Sequence, residues 1–168
     1  MNDGWVGEFS YVRGLVNMVE KYISPDFIMC EVGSYRGVSS EVFAIFCKKL
    51  FCVDIWDGVR NRGDNHPLSP EEEFDVMIAN YENIVKIKER SSEASKMFEN
   101  ESLDAVYIDG DHSEKSVIED MTCWVVKVKP GGFVMGHDWR IISEWISHWI
   151  DKDLVEVFSD DSWIFRKN

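Results

Sequence analysis

Short apolar runs in alternation with amphipathic stretches constrain this chain more than any other feature. Five runs have the length and β-branched content of buried strands: "DFIMCEV" (26–32), "LFCVDI" (50–55), "NIVKIKE" (83–89), "LDAVYIDG" (103–110) and "FVMGHD" (133–138). Helical spacing fills the intervals. It predicts helices over 38–49 (apolar at Val42, Phe43, Ile45 and Phe46), from 69 to about 81, briefly near 94–98, and over 114–126. Ser69, Pro70 and Glu72 open the second of these as a capping box. A leading helix is expected over 8–22 through Phe9, Val12, Leu15, Val16 and Val19. A strongly amphipathic one is expected over 141–150 through Ile141, Ile142, Trp145, Ile146, Trp149 and Ile150. "KPGG" sets Pro130 and Gly131 where a type II turn wants them. "VEVFS" and "SWIFR", parted by Asp160 and Asp161, read as a closing antiparallel hairpin.

Strands that alternate with helices build an α/β fold, a doubly wound parallel sheet with helices on both faces. No repeat, low-complexity tract or linker divides the 168 residues, so one domain is expected over 1–168. Such sheets bind ligands at the carboxyl ends of their strands, where strand order reverses. The residues there are Glu31 and Gly33, Asp54 and Trp56, Ser91 and Ser92, Asp109 to His112, and His137 with Asp138. Nearly all are polar, at one edge of an apolar sheet.

The first strand turns into its helix through "EVGSYRG". A dinucleotide fingerprint has a middle glycine so that backbone can approach a pyrophosphate; Tyr35 stands at that position here and would crowd one. Asp54 closes the second strand, where an acid accepts hydrogen bonds from both ribose hydroxyls of an adenosine. Together these suit adenosine joined to something short. Alternatives stay open: Gly33 and Gly37 as plain turn glycines, Asp54 as a strand terminator, Trp56 as a core or lid aromatic.

Across residues 27–140 the chain resembles class I S-adenosylmethionine-dependent methyltransferases, in particular the small-molecule O-methyltransferases of macrocin and catechol type (methyltransferase 24-like). E-x-G-x-x-x-G, the acid that closes the second strand, "VYIDGDHSEKSVIEDM" and "KPGGFVMGHDW" occur in that family's order. The resemblance implies a Rossmann-like sheet and an S-adenosylmethionine site. Glu31, Gly33 and Ser34 would face the methionine portion, with Tyr35, Gly37 and Ser39 on the same turn. Asp54, Ile55 and Trp56 would serve the ribose side, Ser91 or Ser92 the adenine, and Asp109 with Gly110 would complete the lining. In metal-dependent members one ligand comes from the fourth strand's end and two from the fifth's, which correspond to Asp109, His137 and Asp138. Those members usually carry Asp where His137 stands, and imidazole suits softer ions than Mg²⁺. A divalent cation, Mg²⁺ or another, therefore stands beside a metal-free arrangement.

Methyl transfer needs an aligned acceptor oxygen and a base. His112 or His137 can take the proton, with His112 preferred and capping of the next helix as its other reading; Asp109 and Asp138 complete the catalytic candidates. Asp111 reads as an N-cap. The polar segment 57–69, with Arg60, Arg62 and His66, and Trp139 with Arg140 flank the strand ends. An NAD-type Rossmann protein and a cofactor-binding module without catalysis are the competing readings.

Composition narrows the partners. With 31 acids against 18 bases and a net charge of −13, phosphate-backbone binding is disfavoured, so no nucleic-acid partner is expected. No apolar run approaches the ~20 residues a membrane span needs, and the start of the chain lacks signal-peptide character. Cys30, Cys47, Cys52 and Cys123 lack metal-site spacing and read as free thiols of a cytoplasmic protein. The acceptor is expected to be a small hydroxylated molecule or sugar, and the protein a monomer or homodimer.

Overall fold

The computed structural model describes residues 12–57 and 67–168. The start of the expected 8–22 helix and the loop residues Arg60, Arg62 and His66 lie outside them. Helices α1 (Arg13–Tyr22), α2 (Val38–Phe46), α3 (Pro70–Ile78), α4 (Ser91–Ala94), α5 (Glu114–Trp124) and α6 (Trp139–Ile142) surround seven strands. These are β1 (Ile28–Val32), β2 (Lys49–Asp54), β3 (Ile84–Lys88), β4 (Leu103–Ile108), β5 (Val128–Gly136), β6 (Glu156–Val157) and β7 (Trp163–Arg166). They form one sheet in the order β3-β2-β1-β4-β5-β7-β6. The first five are parallel; β7 runs antiparallel to β5 and to β6, the hairpin read from the sequence. Strand order reverses between β1 and β4, so the crevice opens above those two strands.

Alternation along each strand splits the core between the two faces. Met29, Cys52, Ala105, Tyr107 and Met135 pack toward Leu15, Met18, Phe43 and Phe74 of α1, α2 and α3. Cys30, Val53, Val106 and Val134 pack toward Val117, Met121 and Trp124 of α5 and toward Ile142, Ile146 and Ile150. All four cysteines are free thiols, three of them buried. Among the described residues no helix is long and apolar enough to cross a membrane.

Four expectations need correction. Ile45 is 64% exposed, because it points about 200° away from Phe43 around α2. The "KPGG" turn lies inside β5 as an irregularity that shifts the β4–β5 register between Leu103 and Ala105, with Gly131 at φ 79° as its turn demands. The segment near 94–98 is one α turn at Ser91–Ala94 followed by a 3₁₀ turn at Ser95–Met97. The expected helix over 141–150 is a single turn, α6, and then a chain of hydrogen-bonded turns. Ile142, Ile146 and Ile150 keep the four-residue spacing and are buried, whereas Ile141 is exposed. β-branched residues weaken helix here, and the Ser147 hydroxyl donates to the Glu144 carbonyl at 3.1 Å.

Candidate active site

The turn after β1 is built on a buried carboxylate. Glu31 is 0% exposed and accepts hydrogen bonds from the hydroxyls of Ser34 (2.7 Å), Ser39 (2.5 Å) and Ser40. Burial raises its pKa, and the three hydroxyls oppose that rise. Glu31 therefore lies beneath the turn and organises it; the cleft above is lined by Gly33, Ser34, Tyr35 and Ser39. Gly33, at φ 91°, sits so close to the end of β4 that a Cβ would lie 2.1 Å from the Asp109 carbonyl oxygen. Gly37, at φ 90°, starts α2 in the left-handed region. Tyr35 takes the same region at φ 44°, a conformation with a cost for any residue that carries a Cβ.

Asp54 holds the far side of this turn. Its two oxygens accept the backbone N–H groups of Tyr35 and Trp56, each at 2.9 Å. Trp56, at φ 39°, donates its indole N–H to the Tyr35 carbonyl at 2.7 Å and packs on Phe74 of α3 at 4.7 Å between ring centroids. Trp56 is thus a buried brace as well as part of the cleft wall, and Ile55 lies exposed beside it.

At the ends of β4 and β5 four ionisable side chains meet. His112 Nε2 lies 3.2 Å from Asp109 Oδ1, and its Nδ1 lies 3.1 Å from Asp138 Oδ2. The hydrogen bond to Asp109 raises the His112 pKa, and the Asp138 charge adds to that. His137 Nδ1 is 3.3 Å from the same Asp138 oxygen, while Nε2 donates to the Asp160 carbonyl at 2.5 Å. Burial pulls the His137 pKa down, but Asp109 and Asp138 outweigh it and leave it raised. Asp138 sits at φ 58°, held in the left-handed region where the chain enters α6. Neither Asp111 nor His112 caps α5: Ser113 does, accepting from Ser116 N–H, and Asp111 in turn accepts from the Ser113 and Ser116 hydroxyls.

One cleft of about 1350 Å³ joins these parts. It runs from Ser91 and Ser92 past Asp54 and the Gly33 turn to Asp109, Gly110, His112 and His137. Glu31, Gly37 and Asp138 stand behind its lining. Asp120 of α5 joins the site although no strand ends at it. It is 6% exposed, lines the cleft beside Ser91, and burial pushes its pKa up to about 6. The signal was present: Asp120 lies on the stripe of Val117, Met121 and Trp124, where an acid is out of place.

Asp109, His137 and Asp138 can each offer an atom within 4.8 Å of the others'. Two carboxylates and an imidazole suit a borderline transition cation better than Mg²⁺. The His137 Nε2 bond to a carbonyl is the outer contact a ligating histidine usually makes. His112 already bridges both carboxylates, so a cation there would have to share or displace it.

A family model described as a methyltransferase domain matches residues 30–139, the span that runs from the end of β1 to the start of α6. The chain belongs to this family. A protein of Sinorhizobium fredii called y4gI, itself uncharacterized, is 24% identical over 149 residues, which is 86% of this chain and 15% of that protein. The chain thus spans only a small part of that relative's length. Solved structures show the same fold at low identity. NodS, an N-methyltransferase of Bradyrhizobium japonicum in complex with S-adenosylhomocysteine, is 13% identical with a TM-score of 0.64, covering 99% of this chain and 89% of NodS. SMU.1697c, a candidate methyltransferase of Streptococcus mutans with the same ligand, is 9% identical with a TM-score of 0.66, over 94% and 97% of the two chains. An rRNA methylase of Streptococcus thermophilus is 10% identical with a TM-score of 0.63, over 92% and 95%.

Proposed function

We propose that this methyltransferase domain binds S-adenosylmethionine and moves its methyl group to a hydroxyl of a small acceptor, with His112 as base. The observation that carries the reading is the convergence of three parts on one cleft: Asp54, the Gly33 turn, and an imidazole flanked by two carboxylates. In this reading Asp54 receives the ribose hydroxyls and Ser91 and Ser92 lie toward adenine. Gly33, Ser34, Ser39, Asp109 and Gly110 lie along the methionine portion. S-adenosylhomocysteine in NodS and SMU.1697c supports the choice of cofactor.

The transfer is an in-line displacement in which the acceptor oxygen attacks the sulfonium methyl and the thioether leaves. For His112 to act as base the acceptor hydroxyl enters between one of its nitrogens and the facing aspartate, while the other nitrogen keeps its N–H on the second aspartate, and the proton passes to the nitrogen so exposed. The imidazolium that forms then donates to both Asp109 and Asp138, so the two carboxylates stabilise the charge as it develops. His112 is 45% exposed along its side chain, which leaves it open to an incoming hydroxyl. Asp109, His137 and Asp138 would hold a divalent cation, which when bound would polarise the acceptor oxygen. The net charge of −13 weighs against RNA as the acceptor, although the fold is shared with an rRNA methylase.

Calorimetry with S-adenosylmethionine, S-adenosylhomocysteine and NAD, followed by methyl-labelled transfer to sugars, polyols and catechols, tests the proposal. Micromolar binding of the first two and label on a hydroxyl are expected. Tighter binding of NAD, or label on an amine or RNA only, would overturn it.

A further inference from the structure

Resting on the proposed transfer to a hydroxyl, we propose that Ser162, facing Tyr107, forms a subsite for a second hydroxyl of the acceptor, so that the domain favours polyhydroxylated molecules over simple alcohols. Ser162 lines the cleft and is 0% exposed, and its Oγ has no hydrogen-bond partner among the described residues. A buried hydroxyl left in that state is costly, and a polar group of a ligand would satisfy it. The position is firmly held. Asp160 accepts from the Ser162 N–H at 3.1 Å and, through its other oxygen, from the Leu15 N–H of α1 at 2.7 Å. Asp160 and Trp163, on either side of Ser162, both bind His137: the Asp160 carbonyl accepts from Nε2, and the Trp163 indole donates to the His137 carbonyl at 3.1 Å. The subsite therefore adjoins the rim where His137 and His112 share Asp138.

Strand order separates this corner from the cofactor. In the proposed reading adenine lies after β3, ribose at the end of β2 and the methionine portion above β1 and β4, so the ligand follows the sheet from one edge inward. Ser162 enters β7, three strand spacings or about 14 Å from β1. A methyl presented near His112 leaves the β5 and β7 side to the acceptor. Tyr107 of β4 reaches the same corner and is 2% exposed. Burial and then the Asp109 charge raise its pKa, and Ser162 opposes part of that rise, so the two hydroxyls approach each other, though outside hydrogen-bond geometry. Both can donate and accept, which matches a neutral hydroxyl placed between them. The charges of Asp109, Glu31 and Asp160 act on Tyr107, so an anion would be repelled here. Val12 and Leu15 supply an apolar wall for the carbon skeleton.

The test compares labelled methyl transfer, at saturating S-adenosylmethionine, to glycerol and propan-1-ol, to myo-inositol and cyclohexanol, and to catechol and phenol. Wild type should favour the polyhydroxylated member at least ~10-fold in kcat/KM per hydroxyl in the pairs that react, and Ser162→Ala should reduce that preference below ~3-fold. The variant should bind S-adenosylhomocysteine within ~3-fold of wild type. Its Tm should not fall, because the hydroxyl removed has no partner in the fold. A wild-type preference below ~3-fold in every reacting pair, or an unchanged preference in Ser162→Ala, would overturn the subsite while leaving transfer to hydroxyls in place. A loss of S-adenosylhomocysteine affinity beyond ~10-fold would give the corner to the cofactor, and a Tm loss beyond ~5 °C would give Ser162 to the fold; either result overturns the inference. Transfer to none of the six by a wild type that binds S-adenosylhomocysteine would overturn the hydroxyl-acceptor reading itself, and the subsite with it.

Discussion

Asp54→Ala separates two jobs of one side chain, the support of the turn seen in the structure and the ribose contact proposed for it. Asp54 accepts from the Tyr35 and Trp56 amides, each at 2.9 Å, and both residues sit at positive φ. A net ~0.5–1.5 kcal/mol per hydrogen bond makes the loss about 1–3 kcal/mol. For a domain of this size that lowers Tm by roughly 3–8 °C. Ligand binding should suffer more. Two ribose hydroxyls on an ionised carboxylate contribute ~1.5–3 kcal/mol each, so affinity should fall about 10²–10⁴-fold. Asp54→Asn should be intermediate, because its carbonyl can keep one amide while its NH₂ opposes the other. Differential scanning calorimetry gives the first quantity and isothermal titration with S-adenosylhomocysteine the second. If Tm drops as expected and affinity stays within ~3-fold of wild type, Asp54 only props the turn and the ribose assignment is refuted.

Other expectations follow from the same geometry. Gly33→Ala would place a methyl 2.1 Å from the Asp109 carbonyl at φ 91°, so urea unfolding should show a loss of at least ~3 kcal/mol; a loss below ~1 kcal/mol would mean the β1 turn and β4 end are not packed as described. Asp120 has a folded pKa of about 6 against an ordinary 3.8, so its contribution to stability is present below pH 3.8 and lost as pH rises through 6. Asp120→Asn should remove a pH-dependent difference of up to about 3 kcal/mol over that window, read from melts at pH 4 to 7; parallel curves for the two proteins would contradict the burial argument. His112→Gln should lower kcat by ~10²–10⁴-fold and leave S-adenosylhomocysteine affinity unchanged. A wild-type rate lost on chelation and restored by metal, with His112→Gln still active, would transfer the chemistry to Asp109, His137 and Asp138.

The sheet was legible because each strand announces itself twice, as an apolar run and as the polar residue that ends it. Asp54, Asp109 and His137 reach the cleft rim for that reason: they are the residues at which an apolar strand stops. Periodicity failed where local chemistry competes with it. Over 141–150 the apolar spacing is correct for the sheet contact, yet Ser143, Ser147 and the β-branched isoleucines favour turns, so the buried stripe survives without the helix. Glu31 illustrates a different limit. Its place at the end of β1 is plain in the sequence, but whether it meets ligand or supports the turn depends on Ser34, Ser39 and Ser40 folding back over it. That in turn depends on left-handed backbone at Gly33, Tyr35 and Gly37. Only the two glycines signal such backbone. The same reasoning explains why Asp109 and Asp138 could be named while their shared partner was left open between two histidines. The strand ends fix the carboxylates, whereas the loop from Asp109 to Ser113 decides that His112 swings between them and His137 turns toward Asp160. In the proposed reaction the chemistry at this rim is therefore set by the loop after β4, and changes there should alter catalysis before they alter cofactor affinity.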